Sequence, residues 1–212
     1  QIYYSNLFIS LRLILYYFII YFLFTVSSKL TNKEELKKYS GFSVLILFLI
    51  INFLSFDLLL PIQSGDEDFW FSTVWGIYIM IGNIVAIFAI VLLILLSNKS
   101  TNFENISIEV KNIAKLLFGL NIFWGYVFYS QYFIIWYSNI PLNNRFLELR
   151  TNNFWEPMTY IIIMIHLIIP SILLISEKSK TNKLILKIVA LFLLYSYFIE
   201  LIWTISPNFI NF

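Results

Sequence analysis

The chain has 212 residues, of which 60% are hydrophobic, 20% aromatic and only 12% charged, a balance that excludes an ordinary soluble domain. Its net charge of +2, with no basic stripe, excludes nucleic acid as a partner. With no cysteine and a single histidine, His166, the chain alone cannot hold an iron–sulfur cluster, a disulfide, a cysteine zinc site or a bis-histidine haem.

Gln1 stands where a natural chain carries Met, and neither a basic start nor a small-residue cleavage site follows. The expectation is a chain lacking its natural N-terminus rather than a cleavable signal. Six apolar stretches come next, at residues 7–26, 42–61, 73–96, 116–137, 157–175 and 184–205. A bilayer core of about 30 Å takes about 20 apolar residues as a helix. A helix also satisfies its own backbone polar groups, which hydrocarbon requires. The predicted fold is all-α: one polytopic transmembrane bundle over 1–212, with six spans and a four-helix-bundle core plus flanking helices.

The connections between spans set the predicted orientation. Residues 27–41 read as a polar loop with at most one helical turn. Residues 62–72 carry Asp66-Glu67-Asp68 and then Phe69-Trp70-Phe71, an acidic loop with an interfacial aromatic belt. Residues 98–112 read as a second polar loop, 138–156 as the longest connection, and 176–183 as a tight basic turn. Pro157 suits the first turn of the fifth helix. In and around connections one, three and five lie Lys29, Lys33, Lys37, Lys38, Lys99, Lys111, Lys115, Lys178, Lys180, Lys183 and Lys187, which is 11 of the 14 basic residues. The positive-inside rule makes those connections cytoplasmic and both chain ends outward.

Ionisable groups at bilayer depth are costly, which makes each a candidate site. Asp57 lies about 6 Å and Glu200 about 9 Å below the outer end of their helices, at 1.5 Å per residue. Arg12 enters the first span, where it either snorkels to headgroups or pairs with an acid. Glu156 starts helix five, where a carboxylate suits the helix dipole. His166 is roughly 16 Å deep. Pro170 follows four residues later and has no N–H for the His166 carbonyl. A titratable ring beside a released acceptor makes a proton waypoint, against the alternative of a neutral core histidine. Asn83, Asn121 and Gln131 read either as amide glue between helices or as members of a wet file. The candidate proton pathway is therefore Asp57, His166, Glu200, Asn83, Asn121 and Gln131. Arg12, Tyr132 and Trp136 are candidate quinone contacts, and no metal ligands or catalytic residues are assigned.

Helix four runs Lys115-Leu-Leu-Phe-Gly-Leu-Asn-Ile-Phe-Trp-Gly-Tyr-Val-Phe-Tyr-Ser-Gln-Tyr-Phe-Ile-Ile-Trp-Tyr-Ser-Asn-Ile-Pro141. Phe56-Asp57 precedes Trp70-Phe71-Ser72-Thr73-Val74-Trp75-Gly76-Ile77-Tyr78. His166-Leu-Ile-Ile-Pro170 and Glu200-Leu-Ile-Trp203 with Pro207 complete an ordered set from about residue 42 to the end. This set resembles the NrfD-like membrane subunits of bacterial alternative complex III, and is most similar to the second quinone-binding (ActF-like) type. Leu142 and Asn143 stand where that family often has two glutamates. Lys111-Asn112 replaces its histidine–aspartate, and Ala114 its glycine. That family usually has more than six spans, so the resemblance implies the C-terminal part of such a subunit.

The resemblance implies a non-haem membrane subunit of a quinol:cytochrome c, or other quinol:acceptor, oxidoreductase in the bacterial inner membrane. It implies quinol or menaquinol as the small-molecule partner. Haem and iron–sulfur centres would sit in partner subunits: an iron–sulfur protein, a multihaem cytochrome c and a second NrfD-like subunit. Competing readings are the membrane anchor of a polysulfide- or nitrite-type reductase, a small secondary transporter, and a structural scaffold. A transporter tends to show inverted repeats and broken helices, and only Pro170 interrupts a span deeply. No Ser–His–Asp arrangement or phosphate loop suggests a standalone enzyme.

Overall fold

Long runs of Leu, Ile and Phe form helices because no water is present in hydrocarbon to satisfy an open backbone. The computed structural model describes residues 5–59, 72–97, 103–151 and 155–209, and no strand occurs among them. Among the described residues, six helices are long and apolar enough to cross a membrane. The chain is thus an all-α, multi-pass membrane protein. Its contacts group into two compact units, Gln1–Pro61 and Ile62–Phe212.

The first unit is a helical hairpin. Helix α1 (Asn6–Lys29) and helix α2 (Lys33–Leu54) are joined by only three residues. The polar loop expected at 27–41 is therefore corrected to Leu30–Asn32. The cause is local: the Asn32 side chain accepts from Glu34 N–H at 3.1 Å, and Glu34 and Glu35 sit on the positive helix end. Ser40, Ser43 and Asn52 each donate to the carbonyl four residues back, which removes their polarity from the apolar surface. Past Leu54, α2 widens into a π-helical turn, Ser55–Leu59, that carries Asp57.

The second unit is a bundle of helix α3 (Trp75–Ser97), helix α4 (Phe103–Ser138), a broken helix and helix α8 (Lys183–Ile205). The broken helix comprises α6 (Trp155–Ile162), a π-helical turn (Ile163–Ile168) and α7 (Ile169–Ile175). A short helix, α5 (Pro141–Thr151), precedes it. The inner seam of α4 is Val110, Ala114, Leu117, Asn121, Trp124, Val127, Gln131 and Ile135, all buried. That spacing of three and four is the knobs-into-holes repeat. Gly82, Ala86, Ala89 and Ala190 are also buried, where small residues allow close helix approach.

One expected loop is corrected, and the longest connection contains a helix. Within 98–112, α4 already begins at Phe103 and runs 36 residues without a break. At 1.5 Å per residue it is about 54 Å long, well beyond a bilayer core. Its amphipathic start packs Val110 and Ala114 inward while Lys111 and Lys115 reach Glu177. Within 138–156 the chain forms α5, with Pro141 at its first position. Pro157 lies in the first turn of α6, as expected. The turn at 176–183 is short, and Asn182 caps α8 by accepting from Leu184 and Ile185 N–H. Pro61, Asp66-Glu67-Asp68 and Phe69-Trp70-Phe71 lie outside the described residues.

Candidate functional site

The inner seams of α4, α8 and the broken helix converge on a carboxylate and an imidazole. Glu200 and His166 are both buried, His166 completely. Glu200 Oε2 lies 3.5 Å from His166 Nδ1. That is longer than a hydrogen bond, and neither ring nitrogen has a partner among the described residues. The Trp124 indole N–H donates to Glu200 Oε1 at 3.1 Å. The same indole stacks on the His166 ring at 3.9 Å and 11°. One tryptophan therefore lies on the imidazole and holds the carboxylate.

His166 occupies the π-helical turn that precedes Pro170. The Ile169 N–H reaches back five residues to the Met164 carbonyl. The wider turn accommodates a proline that cannot donate, and such turns recur at functional sites. Asp57, the other buried acid of the candidate pathway, also sits in a π-helical turn.

A cage of aromatic rings extends from the pair. Tyr78 packs 5.3 Å from Trp75 and 6.1 Å from Trp124, centroid to centroid. Phe128 lies 5.1 Å from Trp124 and 5.9 Å from Trp203. The Tyr78 hydroxyl lies beside Glu200, without hydrogen-bond geometry. At the far side stands Arg150 of α5, with only 2% of its surface exposed. It packs 3.7 Å above the Phe146 ring and donates to the Phe146 and Thr204 carbonyls at 2.8 and 2.6 Å. Burial draws its guanidinium down from the usual 12.5 to about 9, with Tyr78 opposing the shift. At neutral pH it remains a cation.

The other candidates have separate settings. Asn121 Nδ2–H donates to the Leu167 carbonyl at 3.2 Å and to Ser171 Oγ at 3.0 Å, next to the π-helical turn. Asn83 accepts from the Tyr197 hydroxyl at 2.6 Å and donates to the Ile79 carbonyl. Gln131 accepts from the Ser72 hydroxyl. In the first unit, Asp57 Oδ2 lies 3.2 Å from Arg12 Nε and accepts from the Tyr16 hydroxyl at 2.9 Å. Of the two expectations for Arg12, pairing with an acid is the one observed. Glu156 starts α6 and accepts from the Tyr160 hydroxyl at 3.1 Å. Tyr132 and Trp136 line a cleft of about 540 Å³, with Asn139, Asn144 and Glu148 among its polar walls.

The structure thus brings His166 and Glu200 together, and groups Asn121 nearby through Leu167. Trp124, Tyr78 and Arg150 were absent from the candidate set. Trp124 and Tyr78 lay inside the quoted motifs. The signal for Trp124 was a seam position shared with Asn121 and Gln131. Among the described residues, no group of three His, Cys, Asp or Glu could hold a metal ion.

Chemically, the pair can hold one proton in two ways. A neutral acid beside a neutral imidazole and a carboxylate beside an imidazolium carry the same net charge. Moving the proton between them changes no net charge in a low-dielectric site, where net charge is costly. No family model and no characterised protein sequence matches the chain significantly.

Proposed function

We propose that this chain is a membrane subunit of a quinol:acceptor oxidoreductase of the NrfD-like, alternative-complex-III type, in which the His166–Glu200 pair loads and releases a proton. Quinol oxidation sets protons free as electrons leave, so a subunit without a redox centre contributes by moving them. Electrons travel in partner subunits, an iron–sulfur protein and a multihaem cytochrome c, beside a second NrfD-like subunit. In this reading the lysine-rich connections face the bacterial cytoplasm and the acidic ones face outward.

The observation that carries the reading is a fully buried imidazole 3.5 Å from a buried carboxylate, deep in a membrane-spanning bundle. A bundle held together by packing has no need of such a pair, and intramembrane ionisable groups are functional by default. The cleft at Tyr132 and Trp136 supports a quinol-side surface, since it joins flat aromatic walls to amide and carboxylate groups.

Purification in mild detergent from native membranes tests the class. Co-purifying multihaem and iron–sulfur proteins support it. A polysulfide- or nitrite-type reductase partner moves the chain to the anchor reading. A homogeneous preparation with no redox centre overturns the proposal in favour of transport.

A further inference from the structure

Helix α5 lies outside the six spans, yet it delivers a cation into the protein core. Arg150 is buried, and among the described residues its Nε–H has no hydrogen-bond partner and no carboxylate lies within ion-pair distance. A buried guanidinium without a touching anion is costly, which raises the question of what balances it. The carbonyl it grips belongs to Thr204, one helical turn beyond Glu200 on the same face of α8. Tyr78 is in electrostatic reach of both Glu200 and Arg150.

Among the described residues, the groups near Glu200 are Tyr78 from α3, Trp124 from α4, His166 from the π-helical turn and Tyr197 on its own helix, with Arg150 of α5 held one turn away at the Thr204 carbonyl. Arg150 is the sole fixed positive charge in that set.

We infer that Arg150 is a positioning residue whose charge sets how tightly the His166–Glu200 pair holds its proton. The inference rests on the proton-loading reading. At a separation of roughly 8–10 Å and an effective dielectric near 20, such a charge alters proton affinity roughly 15- to 30-fold. Removing the cation tightens proton binding, because the carboxylate loses its distant counter-charge.

The test follows the carboxylic C=O stretch by infrared spectroscopy on the full chain in lipid, across a pH titration. The band that disappears in Glu200→Gln identifies Glu200. Arg150→Gln is expected to tighten proton binding at least fivefold, and Arg150→Lys, which keeps the charge, to change it less than twofold. An unchanged midpoint in a folded Arg150→Gln protein overturns the inference. Should Arg150→Gln fail to assemble, amide exchange of α5 in Glu200→Gln decides. Exchange at Phe146–Thr151 at least fivefold faster than wild type supports the coupling, and unchanged exchange overturns it. A Glu200 band that never titrates sinks the proton-loading reading instead, so the two failures are distinct.

Discussion

Trp124 holds both members of the buried pair, so its replacement by Phe measures how strongly they are held. The substitution keeps an aromatic ring for His166 and removes the N–H that Glu200 accepts at 3.1 Å. Hydrogen bonds between transmembrane helices average about 0.6 kcal/mol and reach about 1.7. Bonds to charged groups in water-soluble proteins contribute about 1.5–3 kcal/mol. Both residues are buried and the acceptor is a carboxylate, so the upper membrane figure applies. Loss of stacking on His166 adds about 0.5–1 kcal/mol to the single variant, but that part cancels in a double-mutant cycle. The cycle is Trp124→Phe, Glu200→Leu and the double variant, each unfolded reversibly in mixed detergent–lipid micelles and followed by circular dichroism. A coupling energy of about 1–2 kcal/mol is expected. A coupling below about 0.5 kcal/mol would falsify the claim that Trp124 anchors the carboxylate.

Three further perturbations separate packing from charge. A Cβ at Gly125 meets the Leu167 side chain at 2.6 Å, whereas one at Gly119 meets nothing within 4 Å. Ala is worth up to about 1 kcal/mol over Gly in a helix, against about 1–3 kcal/mol for overpacking. Gly119→Ala should therefore stabilise and Gly125→Ala should not. Equal shifts in the same unfolding assay would contradict the packing of α4 on the π-helical turn. Arg12→Leu strands a buried Asp57 and should cost about 3 kcal/mol, most of it recovered in Arg12→Leu/Asp57→Asn. Failure of the double variant to recover would refute the pairing. At the lysine-rich end, Lys180 and then Lys111 hold the Glu177 carboxyl down from 4.5 to about 2. A lowered acid stabilises above its unfolded value and loses that contribution as pH falls through its folded value. Amide protection in the Ser176–Lys183 turn, relative to the intrinsic exchange rate at each pH, should be flat above pH 4.5 and fall between 4.5 and about 2. A fall already near pH 6, or the same profile in Glu177→Gln, would contradict that assignment.

The spans were legible because length and apolarity alone decide them. The connections were less so. Helix ends here are set by single polar side chains and by amphipathic turns, not by the edge of the apolar run. Asn32 starts α2 inside a segment whose lysines and glutamates suggest a loop. The first turns of α4 bury Val110 and Ala114 beneath charged neighbours, a pattern that mean polarity conceals. Glu200 and His166 stood out as charges in oil, and they do meet. Their tryptophan did not stand out, since one aromatic among many carries no signal until the seam register is known. Arg150 was hidden for a related reason. An arginine between spans looks solvated, and only its spacing of four from Phe146 hinted at a shared buried face.

The proposed role of the buried pair is to exchange a proton while quinol is oxidised. The direct measurement is protons moved per electron, with the purified complex in sealed vesicles supplied with quinol and acceptor. In Glu200→Gln and in an apolar replacement of His166, assembly and electron transfer are expected to persist with proton movement below a tenth of wild type. An unchanged proton-to-electron ratio in those variants contradicts that role.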